Sequence, residues 1–206
     1  MTAAPSHPAP MRAPEPVRLE GTYVVLEPLS LDHLPALCEV GCDPELWRLT
    51  VNSAETPDQM RAYVETALAE HTRRVSLPFA TVERATGRVV GSTRFGNIDV
   101  ANRRMEIGWT WIGRPWQRTA VNTEAKLLML RHAFETLGCM RVELKTDVLN
   151  ERSRAAILRL GATQEGIFRK HQLTWTGRVR DSVWFSIVDD EWPEVRARLE
   201  SLVASR

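Results

Sequence analysis

Glu106-Ile107-Gly108-Trp109-Thr110-Trp111-Ile112 runs into Gly113-Arg114-Pro115-Trp116-Gln117-Arg118-Thr119-Ala120 and then into Val121-Asn122-Thr123-Glu124-Ala125-Lys126-Leu127. Aromatic and β-branched residues dominate the first part, Gly and Pro punctuate the second, and the third begins a helical pattern. Leu127, Leu130, Phe134 and Leu137 share one face of that helix, and Gly138 ends it. The stretch predicts a strand over 105–112, a short loop and a helix over 119–137. Amide N–H groups of the first helical turn then have no partner and point into the loop, where the helix dipole adds about half a positive charge. A pyrophosphate fits such an end. The loop lacks the G-x-x-x-x-G-K pattern of nucleotide triphosphatases and the G-x-G-x-x-G of dinucleotide folds, so neither ATP nor NAD is supported.

Toward the N terminus, Val89–Phe95 and Pro78–Glu83 read as two more strands around a turn at 85–88, giving an antiparallel meander. Thr56-Pro57-Asp58-Gln59 places a capping Thr, a Pro at the first helical position and a Gln at the third, ahead of Met60, Val64 and Leu68 on one face. Ser30 caps a further helix to Cys42, with Leu31, Leu34 and Leu37 in helical spacing, and Tyr23–Leu26 is a β-rich run stopped by Pro28. Pro5, Pro8, Pro10, Pro14 and Pro16 make residues 1–16 a flexible tail with no signal-peptide apolar stretch, and leave 17–206 as one domain. Toward the C terminus follow a strand over 140–146, a helix over 150–160, strands over 163–173 and 179–188 around a turn at 175–177, and a helix over 190–203.

The 206 residues suit one domain with a full core, and 43% hydrophobic against 26% charged residues disfavours disorder and membrane spans. Lys+Arg 27 against Asp+Glu 26 gives a net charge of +1, so no global field draws the chain to nucleic acid or an anionic membrane. The seven tryptophans, Trp109, Trp111, Trp116 and Trp175 among them, therefore read as core and pocket walls rather than platforms for bases. Three cysteines without framework spacing suit a reducing compartment, and cytoplasmic location is expected. Cys38 and Cys42 share a helix face, yet no nearby His/Cys pair completes a tetrahedral site, so no metal is expected.

Gln117-Arg118-Thr119-Ala120-Val121-Asn122 resembles the acetyl-coenzyme A loop of Gcn5-related N-acetyltransferases (GNAT), Q/R-x-x-G-x-G/A. Gln117 matches, Ala120 stands for the first Gly and Asn122 for the second Gly/Ala. Leu19-Glu20-Gly21, Leu26-Glu27-Pro28-Leu29, Glu106-Ile107-Gly108-Trp109, Thr123-Glu124-Ala125, Arg141-Val142-Glu143-Leu144, Asp147, Asn150, Ser153, Leu160-Gly161-Ala162 and Glu165-Gly166 extend the resemblance from Leu19 to Trp192. It is nearest to the branch that includes the ribosomal-protein N-terminal acetylases. The resemblance implies an α/β (α+β) fold: a mixed, mostly antiparallel seven-stranded sheet flanked by helices, with Met105–Ile112 and Met140–Thr146 parallel and splayed. It implies acetyl-coenzyme A in the gap, with Trp111 and Ile112 at pantetheine, Gln117, Arg118, Thr119, Ala120, Val121, Asn122 and Thr123 at the pyrophosphate, and Asn150 and Ser153 near the cofactor. The implied reaction is acetyl transfer to a primary amine, foremost a protein or peptide N-terminal α-amine. A small-molecule amine such as an aminoglycoside or polyamine, and a non-catalytic acyl-coenzyme A binder, are the alternatives. The expected partner is an amine acceptor, with neither nucleic acid nor membrane, for a monomer or homodimer.

Acyl transfer needs a neutral attacking amine, donors for the developing oxyanion and, usefully, a proton for the thiolate. Glu106 on the cleft strand is the candidate base, directly or through water; its plain alternative is pairing with Arg103 or Arg104. His171 is the second candidate base. Ser153, three residues after the capping Asn150, serves as proton donor or sulfur contact, or simply in the helix start. Arg118, Lys126 and Arg154 are candidate phosphate contacts or solvated charges.

Overall fold

The structure, a computed structural model, describes residues 10–206. Eight strands form a single sheet: β1 (Leu19–Glu20), β2 (Val24–Pro28), β3 (Leu77–Glu83), β4 (Val89–Asp99), β5 (Arg104–Ile112), β6 (Arg141–Asp147), β7 (Thr163–Leu173) and β8 (Val179–Val188), in the order β1-β2-β3-β4-β5-β6-β8-β7. Every neighbouring pair is antiparallel except β5 and β6. The sequence reading gave seven strands; the eighth is the two-residue β1, placed there only at the onset of order.

Alternation along the strands divides the apolar residues between two layers. Phe79, Phe95, Ile107 and Ile112 face α4 (Ala120–Arg131), α5 (Glu151–Leu160) and α6 (Trp192–Ala204), whereas Ala80 and Trp111 face α1 (Leu34–Gly41), α2 (Pro44–Trp47) and α3 (Pro57–Thr72). The α3 capping box forms as its sequence implies: Thr56 Oγ1 accepts from Gln59 N at 3.3 Å, and Gln59 Oε1 from Thr56 N at 3.1 Å. The helix expected over 30–42 begins instead as a 3₁₀ turn, Leu31–His33, before α1. Pro35 lacks the N–H that would join the two segments, which accounts for the break. The helix expected over 119–137 is α4 continued by a π-helical segment, His132–Leu137, and Gly138 at φ 76° ends it. Among the described residues no helix is long and apolar enough to cross a membrane.

Two contacts tie the chain's beginning to the core. Residues 1–9 of the expected tail lie outside the described residues, but Met11 and Arg12 correct that expectation. Met11 is buried against the Cys139 thiol, 3.7 Å away, and Arg12 N donates to Leu137 O at 2.8 Å. Farther on, the buried Glu124 carboxylate accepts from the amides of Thr22, Tyr23 and Val24 at 2.7, 2.6 and 2.9 Å. Gly21 admits that carboxylate, since a Cβ there would stand 2.4 Å from Oε2. Glu124 thereby locks β2 to α4, and charge-assisted bonds to a buried carboxylate are the strong kind.

Two stability predictions follow from these contacts. Glu124→Gln should lower the unfolding free energy by about 2–3 kcal/mol in urea titration, and a loss under about 0.5 kcal/mol would contradict the clamp. Deleting residues 1–16 should lower the melting temperature through loss of the Met11 contact, about 2 kcal/mol, where a free tail would leave it unchanged.

Candidate functional site

The parallel seam between β5 and β6 is short. Arg104, Met105 and Glu106 pair with Arg141, Val142 and Glu143, and pairing stops there. Strand β6 stays with β8 over all of Arg141–Asp147, while β5 stays with β4 up to Ile112, so the two parallel strands part beyond Glu106. A bulge in β5 accompanies the separation. Ser92 and Arg94 on β4 pair with Trp111 and Gly108, so one extra residue is accommodated on β5, and Trp109 takes φ +50°. That backbone is unusual for a tryptophan. Its ring covers Gly96, where a Cβ would lie 2.3 Å away, with the Arg94 guanidinium 4.7 Å above it. Arg94 is itself held by Glu70 at 2.8 Å and by the Tyr63 ring, while Tyr63 Oη donates to Trp109 O at 3.0 Å. The separating edge thus rests on a fixed bulge.

Glu106 lies at the last paired position and is buried. Its Oε2 accepts from Lys145 Nζ at 2.8 Å and Asn97 Nδ2 at 2.7 Å. Oε1 has no hydrogen-bond donor among the described residues and lies over Gly108, where a Cβ would stand 2.7 Å from it. The expected alternative partners are occupied elsewhere: Arg104 pairs with Asp99 and Glu143, and Arg103 Nε donates to Gly138 O. Lys145 also lies 5.1 Å over Trp184 and 5.9 Å over Trp109.

His171 joins this face. Its ring stands edge-on to Trp184 at 5.9 Å and to Phe168 at 5.6 Å, with Nδ1 2.9 Å from Ser182 Oγ. Burial, then the nearby Lys145 and Arg180 charges, push its pKa below the usual imidazole range, with Glu106 opposing them. The structure therefore brings Glu106 and His171 to one cluster, with Lys145 and Trp184 between them.

The loop residues gather at the opposite end of the gap. Thr119 caps α4 by accepting from Val121 N at 3.3 Å, and helix geometry leaves the neighbouring first-turn amides without intrahelical partners. Ala120 keeps a negative φ, so its Cβ is tolerated where the resemblance has Gly; Arg118, at φ +63°, makes the left-handed turn. Asn122 Oδ1 is buried without a partner among the described residues. Gln117 Nε2 donates to Ile112 O at 2.9 Å, and Gln117 Oε1 accepts from Arg152 of α5. Arg159 of the same helix donates to Thr123 Oγ1 at 2.6 Å. The Arg159 bond ties the first turn of α4 to the end of α5, and the Arg152 bond draws the loop to its start. There Asn150 Oδ1 accepts from Ser153 N at 3.0 Å, while Ser153 Oγ forms no hydrogen bond among the described residues.

Trp111 faces away from the gap and packs 5.5 Å from Trp47, so only its backbone borders the opening. Lys126 does not reach the phosphate end. It is buried, and Nζ donates to Thr110 Oγ1 at 2.8 Å and Thr93 Oγ1 at 3.3 Å, with its pKa pushed down to about 7 by burial. Arg154 donates to Val148 O rather than standing free. The sequence reading missed Lys145, although Glu143 and Lys145 alternate onto one face of a strand laid parallel to Glu106. Asn97, which reaches Glu106 from a left-handed position at φ 48°, carries no comparable signal.

A parallel pair that separates beside a helix-capped loop is the arrangement that the resemblance to Gcn5-related N-acetyltransferases implies, and comparison with known proteins agrees on the family. The model of the acetyltransferase (GNAT) domain matches residues 24–163. The chain belongs to the GNAT family and is an acetyltransferase. It is 32% identical over 142 residues to YdaF of Bacillus subtilis (strain 168), named as a ribosomal N-acetyltransferase, covering 68% of this chain and 76% of YdaF. Among solved structures, a GCN5-related N-acetyltransferase from Brucella melitensis superposes with TM-score 0.87 and 32% identity over 94% of this chain and 88% of that one. Mycobacterium smegmatis RimJ, solved with CoA-disulfide, shares the fold at TM-score 0.74 and 22% identity, covering 91% and 93% of the two chains.

Lys126 gives a signed pH test. Its folded pKa lies below its ordinary 10.5, so above pH 7 the unfolded chain holds the extra proton and stability rises with pH up to about 10. The wild type should gain unfolding free energy over Lys126→Met by about 1 kcal/mol per pH unit between pH 7.5 and 9.5. Parallel profiles would show that Lys126 does not carry this shift.

Proposed function

We propose that this acetyltransferase moves the acetyl group of acetyl-coenzyme A onto the α-amine at the N terminus of a protein or peptide. Glu106 Oε1 carries the reading: the oxygen of a buried carboxylate that accepts from no donor among the described residues, at the point where β5 and β6 part. The donor side fits the same account. The loop and first α4 turn at Gln117–Thr123, with the first-turn amides that Thr119 leaves uncapped, receive the pyrophosphate, the free backbone edge of β5 at Trp111 and Ile112 takes the pantetheine amides, and Asn150 with Ser153 borders the thiol end. RimJ supports the cofactor through its coenzyme A complex, and YdaF supports the acceptor class through its name.

Acetyl-coenzyme A, when bound, supplies a thioester whose thiol leaving group has a pKa of about 8.5. Glu106 Oε1 takes the proton of the incoming ammonium while Lys145 and Asn97 hold Oε2 in place. His171 beside it is the second proton acceptor. Ser153 Oγ is the proton donor toward the thiol side. An α-amine near pKa 8 loses its proton more readily than a lysine near 10.4.

Charge around Glu106 argues against an aminoglycoside or polyamine. Lys145 and Arg178 pair with Glu106 and Asp147, Arg104 and Arg141 with Glu143, and Arg180 adds a cation with no ion-pair partner among the described residues, so a second ammonium would meet no unpaired acid there. The tolerated Ala120 removes the main reason to regard the loop as disabled. Free cysteines at positions 38, 42 and 139 fit a reducing cytoplasm.

In a thiol-release assay, peptides with free N termini should outcompete spermine and aminoglycosides. Glu106→Gln should lower kcat at pH 7 by about 100-fold or more while the KM for acetyl-coenzyme A holds. A normal kcat would remove Glu106 as base, and preference for spermine would overturn the acceptor class.

A further inference from the structure

A buried charge without an ion-pair partner among the described residues lies on the Glu106 face of the sheet. Arg180, Ser182 and Trp184 alternate onto one side of β8, where Lys145 pairs with Trp184 and Asp147 with Ser182. Arg180 is 6% exposed, and among the described residues it forms no ion pair. Its one hydrogen bond there runs from Nε to Ser182 Oγ at 3.0 Å, and that hydroxyl is also bonded to His171 Nδ1. Asp147 and Glu106 are the acids whose fields offset its charge, and both are occupied: Asp147 by Arg178 and the Leu149 amide, Glu106 by Lys145 and Asn97. Opposite Arg180 on β7 is Gln172, whose Oε1 is buried without a partner among the described residues. The hairpin joining β7 to β8 is fastened by Trp175 Nε1 donating to Trp47 O at 2.9 Å.

A guanidinium stays charged even where burial disfavours it, and leaving its fork of donors unmatched in a protein interior is unfavourable. Planar carboxylate is the anion that fork fits best. We propose that Arg180 is an anion subsite of the acceptor cleft, so that the preferred acceptor carries a carboxylate a few atoms from its reacting amine. This rests on the amine-acceptor reading above. The carboxylate belongs either to an acidic side chain in the first residues of a peptide or to a free amino acid. In both cases the Arg180–Ser182–His171 chain holds the anion on the same face as Glu106.

The test compares kcat/KM for short peptides differing only in an acidic, neutral or basic second residue, and for free glutamate against its diamide, with wild type, Arg180→Gln and Arg180→Lys. The wild type should prefer the acidic partner of each set by at least about 10-fold. Arg180→Gln should abolish that preference through KM, Arg180→Lys should restore part of it, and acetyl-coenzyme A affinity should hold throughout. Preference within the peptides alone identifies a side-chain carboxylate, and preference for glutamate alone a free amino acid; either supports the subsite. Equal wild-type rates across charge types would overturn it, a result that does not depend on the variants folding. Transfer to none of these amines would instead overturn the amine-acceptor reading and the subsite with it.

Discussion

Three residue pairs hold β5 to β6, and the rest of the site depends on their stopping at Glu106. A strand edge released in the middle of a sheet has unpaired amide and carbonyl groups, which a folded protein ordinarily satisfies within itself. Here β6 keeps β8 in full and β5 keeps β4 through a bulge, so the edges open without loss of the sheet. The bulge at Trp109 makes the opening rigid, because Gly96, Tyr63 and the Arg94–Glu70 pair all hold that residue in its left-handed backbone. A gap of fixed shape suits a reaction whose catalysis comes largely from positioning.

Buried charge divides this molecule into structural and functional parts. Glu124 and Asp147 are saturated by amides or an opposite charge, Arg94 is paired with Glu70 between two aromatic rings, and each fastens one element to another. Glu106 is half saturated, with both donors on a single oxygen. The difference is chemical: a fully bonded carboxylate has no lone pair directed at a ligand, whereas the free oxygen of Glu106 does. Lys126, bonded only to two threonine hydroxyls, belongs with the floor beneath the bulge rather than with the phosphates.

Much of this was legible in the sequence where local chemistry decides structure. The Thr56-Pro57-Asp58-Gln59 cap, the Gly138 stop and the strand–loop–helix at 105–137 all follow from propensity and periodicity, and the parallel pair came from the family resemblance. What escaped depends on long-range geometry. Strand alternation puts Lys145 on the Glu106 face but does not announce an ion pair 39 positions away, and nothing near Glu124 announces three amide partners about 100 positions earlier. Met11 sits in a Pro-rich segment whose composition suggests no burial, yet a single apolar side chain found a place against Cys139. Pro35 is plain in the sequence, and its missing N–H divides the helix that Ser30 and the leucine spacing suggest.

Calorimetric titration with acetyl-coenzyme A, with ATP and NAD as controls, on the wild type and on Ala120→Trp tests the gap most directly as the cofactor slot. Saturable binding of acetyl-coenzyme A alone by the wild type, lost in a folded Ala120→Trp protein whose indole fills the start of α4, is the predicted result. Equal affinity in the two proteins would remove the loop from the cofactor site, and no binding by the wild type would contradict the account at its centre.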